Sequence, residues 1–165
     1  MIEVTVDSIR WSMVADYRLL TLKQADVERY LPIYIGPCEA DAIAIRLQNR
    51  KHPRPLTHDL LHNVISELGG EVAYIVVNDM RNDTYYARVI VNVDGREVDI
   101  DSRPSDAIAL AVRTDSPIFV EESVMEQAGI TPEVDIGEDE GEGGEDLSAF
   151  REFVNNLDLG DLPIQ

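Results

Sequence analysis

Three runs constrain this chain more than anything else in it: VAYIVVND (72–79), TYYARVIVNV (84–93) and REVDID (96–101). Each is rich in β-branched or aromatic residues, and the connections Arg81–Asp83 and Asp94–Gly95 leave no room for a crossover. Links that short join antiparallel neighbours, and Asp-Gly readily takes the positive φ angles of a tight hairpin turn. Two consecutive hairpins are therefore expected here.

Around them strand and helix patterns alternate. Ile2, Val4 and Val6 alternate with Glu3, Thr5 and Asp7, the pattern of a half-buried strand. Arg18–Leu22 and Pro32–Ile35 read as two more strands, joined by the polar stretch around Gln24–Arg29. CEADAIAIRLQ puts Ala40, Ile43, Ala44 and Leu47 on one helical face before Pro53 and Pro55 interrupt. Thr57 reads as the N-cap of a second helix, HDLLHNVISEL, which Gly69–Gly70 stops. SDAIALAVR is apolar nearly all round and should be a buried helix, and PIFV and ESVMEQAG add a last strand and helix. Hairpins mixed with helices in this order predict an α+β fold: a compact mixed sheet with several short helices, not a doubly wound sheet. DAIAI at 41–45 is echoed by DAIAL at 106–110, which suggests a duplicated strand–turn–helix unit or two helices with similar packing demands.

The charge divides the 165-residue chain. It carries 32 acids against 14 Lys and Arg, a formal net charge of −18, yet eleven acids and one base lie from Glu133 onward. DIGEDEGEGGED (135–146) has one aliphatic residue and cannot bury enough surface to offset its ordering entropy. We expect a folded domain over 1–130, an acidic disordered linker over 131–146, and a short amphipathic helix and tail over 147–165. In that helix Leu147, Phe150, Val154 and Leu157 recur at helical spacing. No apolar run approaches the ~20 residues of a membrane span, and the N-terminus lacks a signal peptide's basic-then-apolar order. One cysteine, Cys38, excludes a disulfide framework. A cytoplasmic protein without membrane contact is expected, and its acidity argues against a broad nucleic-acid-binding surface.

Two clusters could do chemistry. His58 and His62 stand at i and i+4, but Asp59 replaces the glutamate of the zinc-helix motif and no third ligand is evident; two polar residues on an amphipathic helix account for them as well. Asp99 and Asp101 share one face of a strand, with Val98 and Ile100 directed to the core, and the chain then turns through Ser102-Arg103-Pro104 into a helix. Carboxylates at such a junction suit Mg²⁺ or Mn²⁺, and Arg103 offers a fork of donors to phosphate. Equally, Ser102 or Ser105 could cap the helix, Asp106 answer its dipole and Arg103 pair with a neighbour. Glu39 and Asp41, after Gly36-Pro37, occupy a comparable turn.

LPIYIGPCEADAIAIRL, RPLTHDLL and IDSRPSDAIALAVRTDSPIFV together resemble the signature segments of the bifunctional nuclease family, over about residues 1 to 130. The resemblance implies a compact α+β domain that forms homo-oligomers, with a dimer as the first expectation, and ribonuclease and deoxyribonuclease activity. It carries over Glu39, His58, Asp59, Asp101, Arg103, Ser105 and Asp106, each within a matching segment. His62 falls outside the motif, and Cys38 stands where an aromatic residue is commoner. On this basis Asp101, Asp106 and Glu39 would hold a divalent cation, Mg²⁺ or Mn²⁺. His58 would give or take the proton, with Asp101, Arg103 and Asp106 also catalytic, and Arg103, Ser105 and Asp59 would bind an RNA or DNA substrate. The competing expectation is a non-catalytic oligomeric module that binds a partner protein or small ligand, and the acidic tail could also compete with nucleic acid as a phosphate mimic.

Overall fold

The computed structural model describes residues 1–11 and 17–132, within a unit that spans Met1–Pro132. Its strands are β1 (Ile2–Trp11), β2 (Arg18–Gln24), β3 (Tyr30–Ile35), β4 (Gly70–Arg81), β5 (Thr84–Val93), β6 (Arg96–Ser102) and β7 (Ile118–Val120). The helices are α1 (Pro37–Leu47), α2 (Thr57–Glu67), α3 (Pro104–Thr114) and α4 (Glu122–Ala128). The expected α+β class is what the chain adopts. Residues from 133 onward, and with them all but the first two residues of the expected acidic linker (131–146) and the whole of the expected amphipathic helix and tail (147–165), lie outside the described residues.

Two antiparallel meanders, β1-β2-β3 and β4-β5-β6, are joined edge to edge by β7, giving the sheet order β3-β2-β1-β7-β4-β5-β6. β7 runs antiparallel to β1 and parallel to β4, so one short strand makes the sheet mixed. The expected hairpin turns are present: Asn82–Asp83 and Asp94–Gly95 both have positive φ at the two central residues. Tyr85 on β5 donates its hydroxyl to the Pro32 carbonyl on β3 at 3.1 Å, although four strands separate them, so the sheet curls on itself. Leu20, Leu22, Leu31, Ile43, Ile75, Ile108, Leu110 and Met125 are fully buried in the resulting core. α3 packs on β4 and β5 and is flanked by α1 and α2. Its near-continuous apolar surface is buried, as expected.

Each meander ends on a sheet edge, turns at one extended residue and enters a helix through proline. Gly36 precedes Pro37 of α1, and Arg103 precedes Pro104 of α3. Proline suits this first helical position because its fixed φ is helical and the missing N–H has no partner there. Strand, turn and helix thus recur, but not in the register of the DAIA echo. The prolines align Glu39 with Asp106, two residues before the Asp41 that the echo would pair with it.

Four local expectations are corrected. Leu56, not Thr57, is the N-cap of α2, and the Asp59 carboxylate one turn on accepts the Leu56 amide at 2.8 Å. Arg103, not Ser102 or Ser105, is the N-cap of α3; Ser105 is buried in the first turn, and the Ser102 hydroxyl donates to the Arg103 carbonyl. Leu47 is exposed at the end of α1. Val98 and Ile100 are exposed too: they pair with the buried Val91 and Val89, but none of the described helices reaches over the edge strand to cover them. Among the described residues no helix is long and apolar enough to cross a membrane.

Candidate active site

The first turns of three helices meet at one place. Glu39 is the third residue of α1, His58 the second of α2, and Asp106 the third of α3, with Arg103 at the N-cap of α3. Carboxylates in a first turn are favoured by the helix dipole, which accounts for Glu39, Asp106 and, beside His58, Asp59. Arg103 joins two of the helices. Its Nη2 lies 2.8 Å from Glu39 Oε1, while Nε and Nη2 donate to the two Asp106 oxygens at 2.7 and 3.1 Å. The Asp106 and Glu39 carboxylates hold the guanidinium firmly charged, raising its pKa above the ordinary value. Gly36 makes room for this arrangement, since a Cβ there would run into Glu39 Oε2.

On the other side of Asp106, His58 Nε2 lies 3.3 Å from Oδ1. His58 is buried, whereas Arg103 keeps 66% of its side chain exposed. The cluster is therefore a His–Asp pair set into the protein beneath an accessible guanidinium, with a second carboxylate beside it. Such a set can move a proton at the imidazole and pair with a phosphate oxygen at the guanidinium.

Of the residues expected in the site, Glu39, His58, Arg103 and Asp106 come together. Asp101 lies elsewhere: it is 73% exposed on β6, with Arg88 Nε across the ladder at 3.9 Å. Ser105 is buried directly beneath the turn. Asp59 faces away from His58 along the helix and pairs with Arg113 of α3 at 2.6 Å. Burial raises the Asp59 carboxyl, but the Leu56 amide, the Arg113 guanidinium and the nearby His52 outweigh it, leaving its pKa lowered. Arg113 also donates to the carbonyls of Ala109 and Ala42, tying α1, α2 and α3 together. Nothing in the apolar run of α3 marks Arg113 as the central residue of that junction.

As arranged, the acids do not form a divalent-cation site. Arg103 stands between Glu39 and Asp106, Asp101 is turned to Arg88, and among the described residues no three metal-ligating side chains gather. His62, one turn after His58, is partly exposed and joins no such group.

Comparison with known proteins gives a consistent result. The model of the bifunctional nuclease domain matches residues 20–133. An uncharacterized protein of Mycobacterium tuberculosis is 38% identical over 162 residues, covering 97% of both chains. Bifunctional nuclease 1 of Oryza sativa is 28% identical over 120 residues, 70% of this chain but 36% of the rice protein. Bifunctional nuclease 2 of Arabidopsis thaliana is 28% identical over 110 residues, covering 33% of the plant protein.

Proposed function

Because this chain belongs to the bifunctional nuclease domain family, we propose that it hydrolyses phosphodiester bonds of RNA and DNA where the first turns of α1, α2 and α3 meet. The observation that carries this reading is the convergence of Glu39, His58, Arg103 and Asp106 from three separate segments. We assign the catalytic domain to residues 1–130 and treat the acidic extension as a separate part. The exposed, unpaired thiol of Cys38 suits a reducing cytoplasm.

In this reading Asp106 fixes the imidazole of His58 through Nε2, leaving Nδ1 to accept the proton of an attacking water. Water adds at phosphorus as its proton passes to Nδ1 of His58, the bond to the leaving oxygen breaks, and that oxygen takes a proton from solvent while the imidazolium returns its own to solvent. Arg103 turns its terminal nitrogens from Glu39 and Asp106 to the phosphate and stabilises the charge that develops there. Ser105 and Asp59 support the site from beneath and beside it. A divalent cation, Mg²⁺ or Mn²⁺, would require Arg103 to leave the two carboxylates before Glu39 and Asp106 could hold it.

The test is cleavage of labelled single-stranded RNA and DNA by the purified full chain, with and without chelator. Asp106→Asn should lower kcat/KM by on the order of 10²-fold or more, while Asp101→Asn should stay within a few-fold of wild type. Equal residual activity in wild type and Asp106→Asn would remove the assignment.

A second reading, a non-catalytic oligomeric module, is favoured by one observation. α2 exposes Leu60, Leu61 and Val64, with Leu68 exposed at its C-cap, and the edge strand β6 exposes Val98 and Ile100. Exposed apolar patches and an open sheet edge each suit a homodimer contact. The dimer is compatible with either reading.

A further inference from the structure

The loop between α1 and α2, with the last turn of α1, holds the densest positive charge in this acidic chain: Arg46 of α1 and Arg50, Lys51, His52 and Arg54 of the loop fall within nine residues. It folds over a pocket of about 290 Å³ whose lining includes Arg46, Arg50, His52, Arg54, Asp59 and Arg113. That volume lies at the lower end of the ~300–1,000 Å³ usual for small-ligand sites. Asp59, the pocket's one acid, is already matched by Arg113. Arg46 donates through Nε to the Val112 carbonyl and reaches the exposed Asp115 at 3.4 Å. Arg50, His52 and Arg54 are exposed and have no ion pair among the described residues.

The loop's shape is fixed. Asn49 takes a positive φ, the Arg50 amide donates to the Ile45 carbonyl at 3.0 Å, and Pro53 and Pro55 restrict the backbone on both sides of Arg54. Such a loop presents its cations with less ordering to lose on binding.

We propose that this pocket is a phosphate site that holds a single nucleic-acid strand beside the carboxylate cluster, a placement that rests on the proposed hydrolytic reading. Asp59 and His58 are neighbours on the first turn of α2, one facing each site. Along α3 the two sites are marked by Arg113 and Asp106, seven residues or roughly 10 Å apart. That distance is a few nucleotides of strand at ~3.4 Å per residue. The pocket supplies what the cluster lacks, a net positive surface that retains the strand. It also reconciles the chain's acidity with a polyanionic substrate, because binding needs only a local cationic anchor.

The test is fluorescence anisotropy of a labelled single-stranded oligonucleotide with the full chain over a series of salt concentrations. Arg50→Gln/Arg54→Gln should weaken binding by about tenfold at low salt and flatten the plot of log affinity against log salt by about 1.4, two phosphate contacts at ~0.7 each. Arg50→Lys/Arg54→Lys should keep most of the affinity, since the contacts act through charge. Arg10→Gln/Arg96→Gln makes the same change in net charge elsewhere and should leave the slope as in wild type. Equal losses from the two glutamine pairs, or no loss from either, would overturn the site. Inorganic pyrophosphate binding that needs Arg50 and Arg54, without strand binding, would overturn the assignment to nucleic acid. Binding is read apart from cleavage. A wild type that binds through these arginines but cleaves nothing keeps the pocket and removes the hydrolytic reading; one that cleaves equally well without them does the reverse.

Discussion

Arg113 has 4% of its side chain exposed, yet it carries a full charge. Its three donor contacts, to Asp59, Ala109 and Ala42, make that burial tolerable. Removing one partner of a buried pair costs more than the pair contributes, because the other charge is left stranded. Asp59 itself keeps 36% of its side chain exposed, so water takes up part of the loss, and Asp59→Ala should destabilise the domain by about 1–2 kcal/mol, read from the denaturant midpoint at neutral pH. The pH dependence has a definite sign. The Asp59 carboxyl is lowered from 3.8 in the folded state, so its contribution is present above that value and lost as pH falls through the folded one. The variant should lose less stability than wild type on acidification below about pH 4; parallel acid limbs would contradict the role assigned to Asp59. Glu39, His58, Arg103 and Asp106 were legible as a set through the resemblance of their motif segments, since local chemistry alone explains each as well by capping or solvation. Arg113 was not legible, because its partner lies 54 residues away. Asp101 shows the opposite limit: strand alternation gives its face, but only the β5 register shows that it faces Arg88.

At the level of elements, turns and helices formed by local rules follow the sequence closely. Asn82–Asp83 and Asp94–Gly95 form their hairpins, and the apolar run of α3 is buried. What sequence periodicity misses is position in the sheet. Val98 and Ile100 have the alternation of core residues, but β6 is last in the strand order and no described element covers it. α2 likewise has an apolar face whose outer residues remain open beside Ile65, its partly buried contact with the core. If this surface joins two copies, Leu61→Glu/Val64→Glu should convert a dimer to monomer by light scattering while leaving the far-ultraviolet circular dichroism unchanged. A monomeric wild type, or a dimer indifferent to both charges, would exclude α2 as the contact.

On the scale of the whole molecule, two meanders each deliver a helix through a proline, and β7 joins their sheets. That arrangement brings Glu39 and Asp106 to a single guanidinium, with α2 adding His58 from outside the repeat. The sequence echo pointed to the repetition but not to its register, because proline at the helix start outweighs a short alanine-rich match. The net charge of −18 likewise describes no single surface: an acidic segment follows residue 132, and the domain before it gathers cations around one pocket. The most direct measurement is kcat/KM for labelled single-stranded RNA with the wild type, His58→Gln and Arg103→Lys, purified identically. Activity should copurify with the wild-type chain and fall on the order of 10²-fold in each variant, the lysine retaining charge but losing the guanidinium fork. Activity that is the same in all three preparations would contradict a hydrolytic site at this junction.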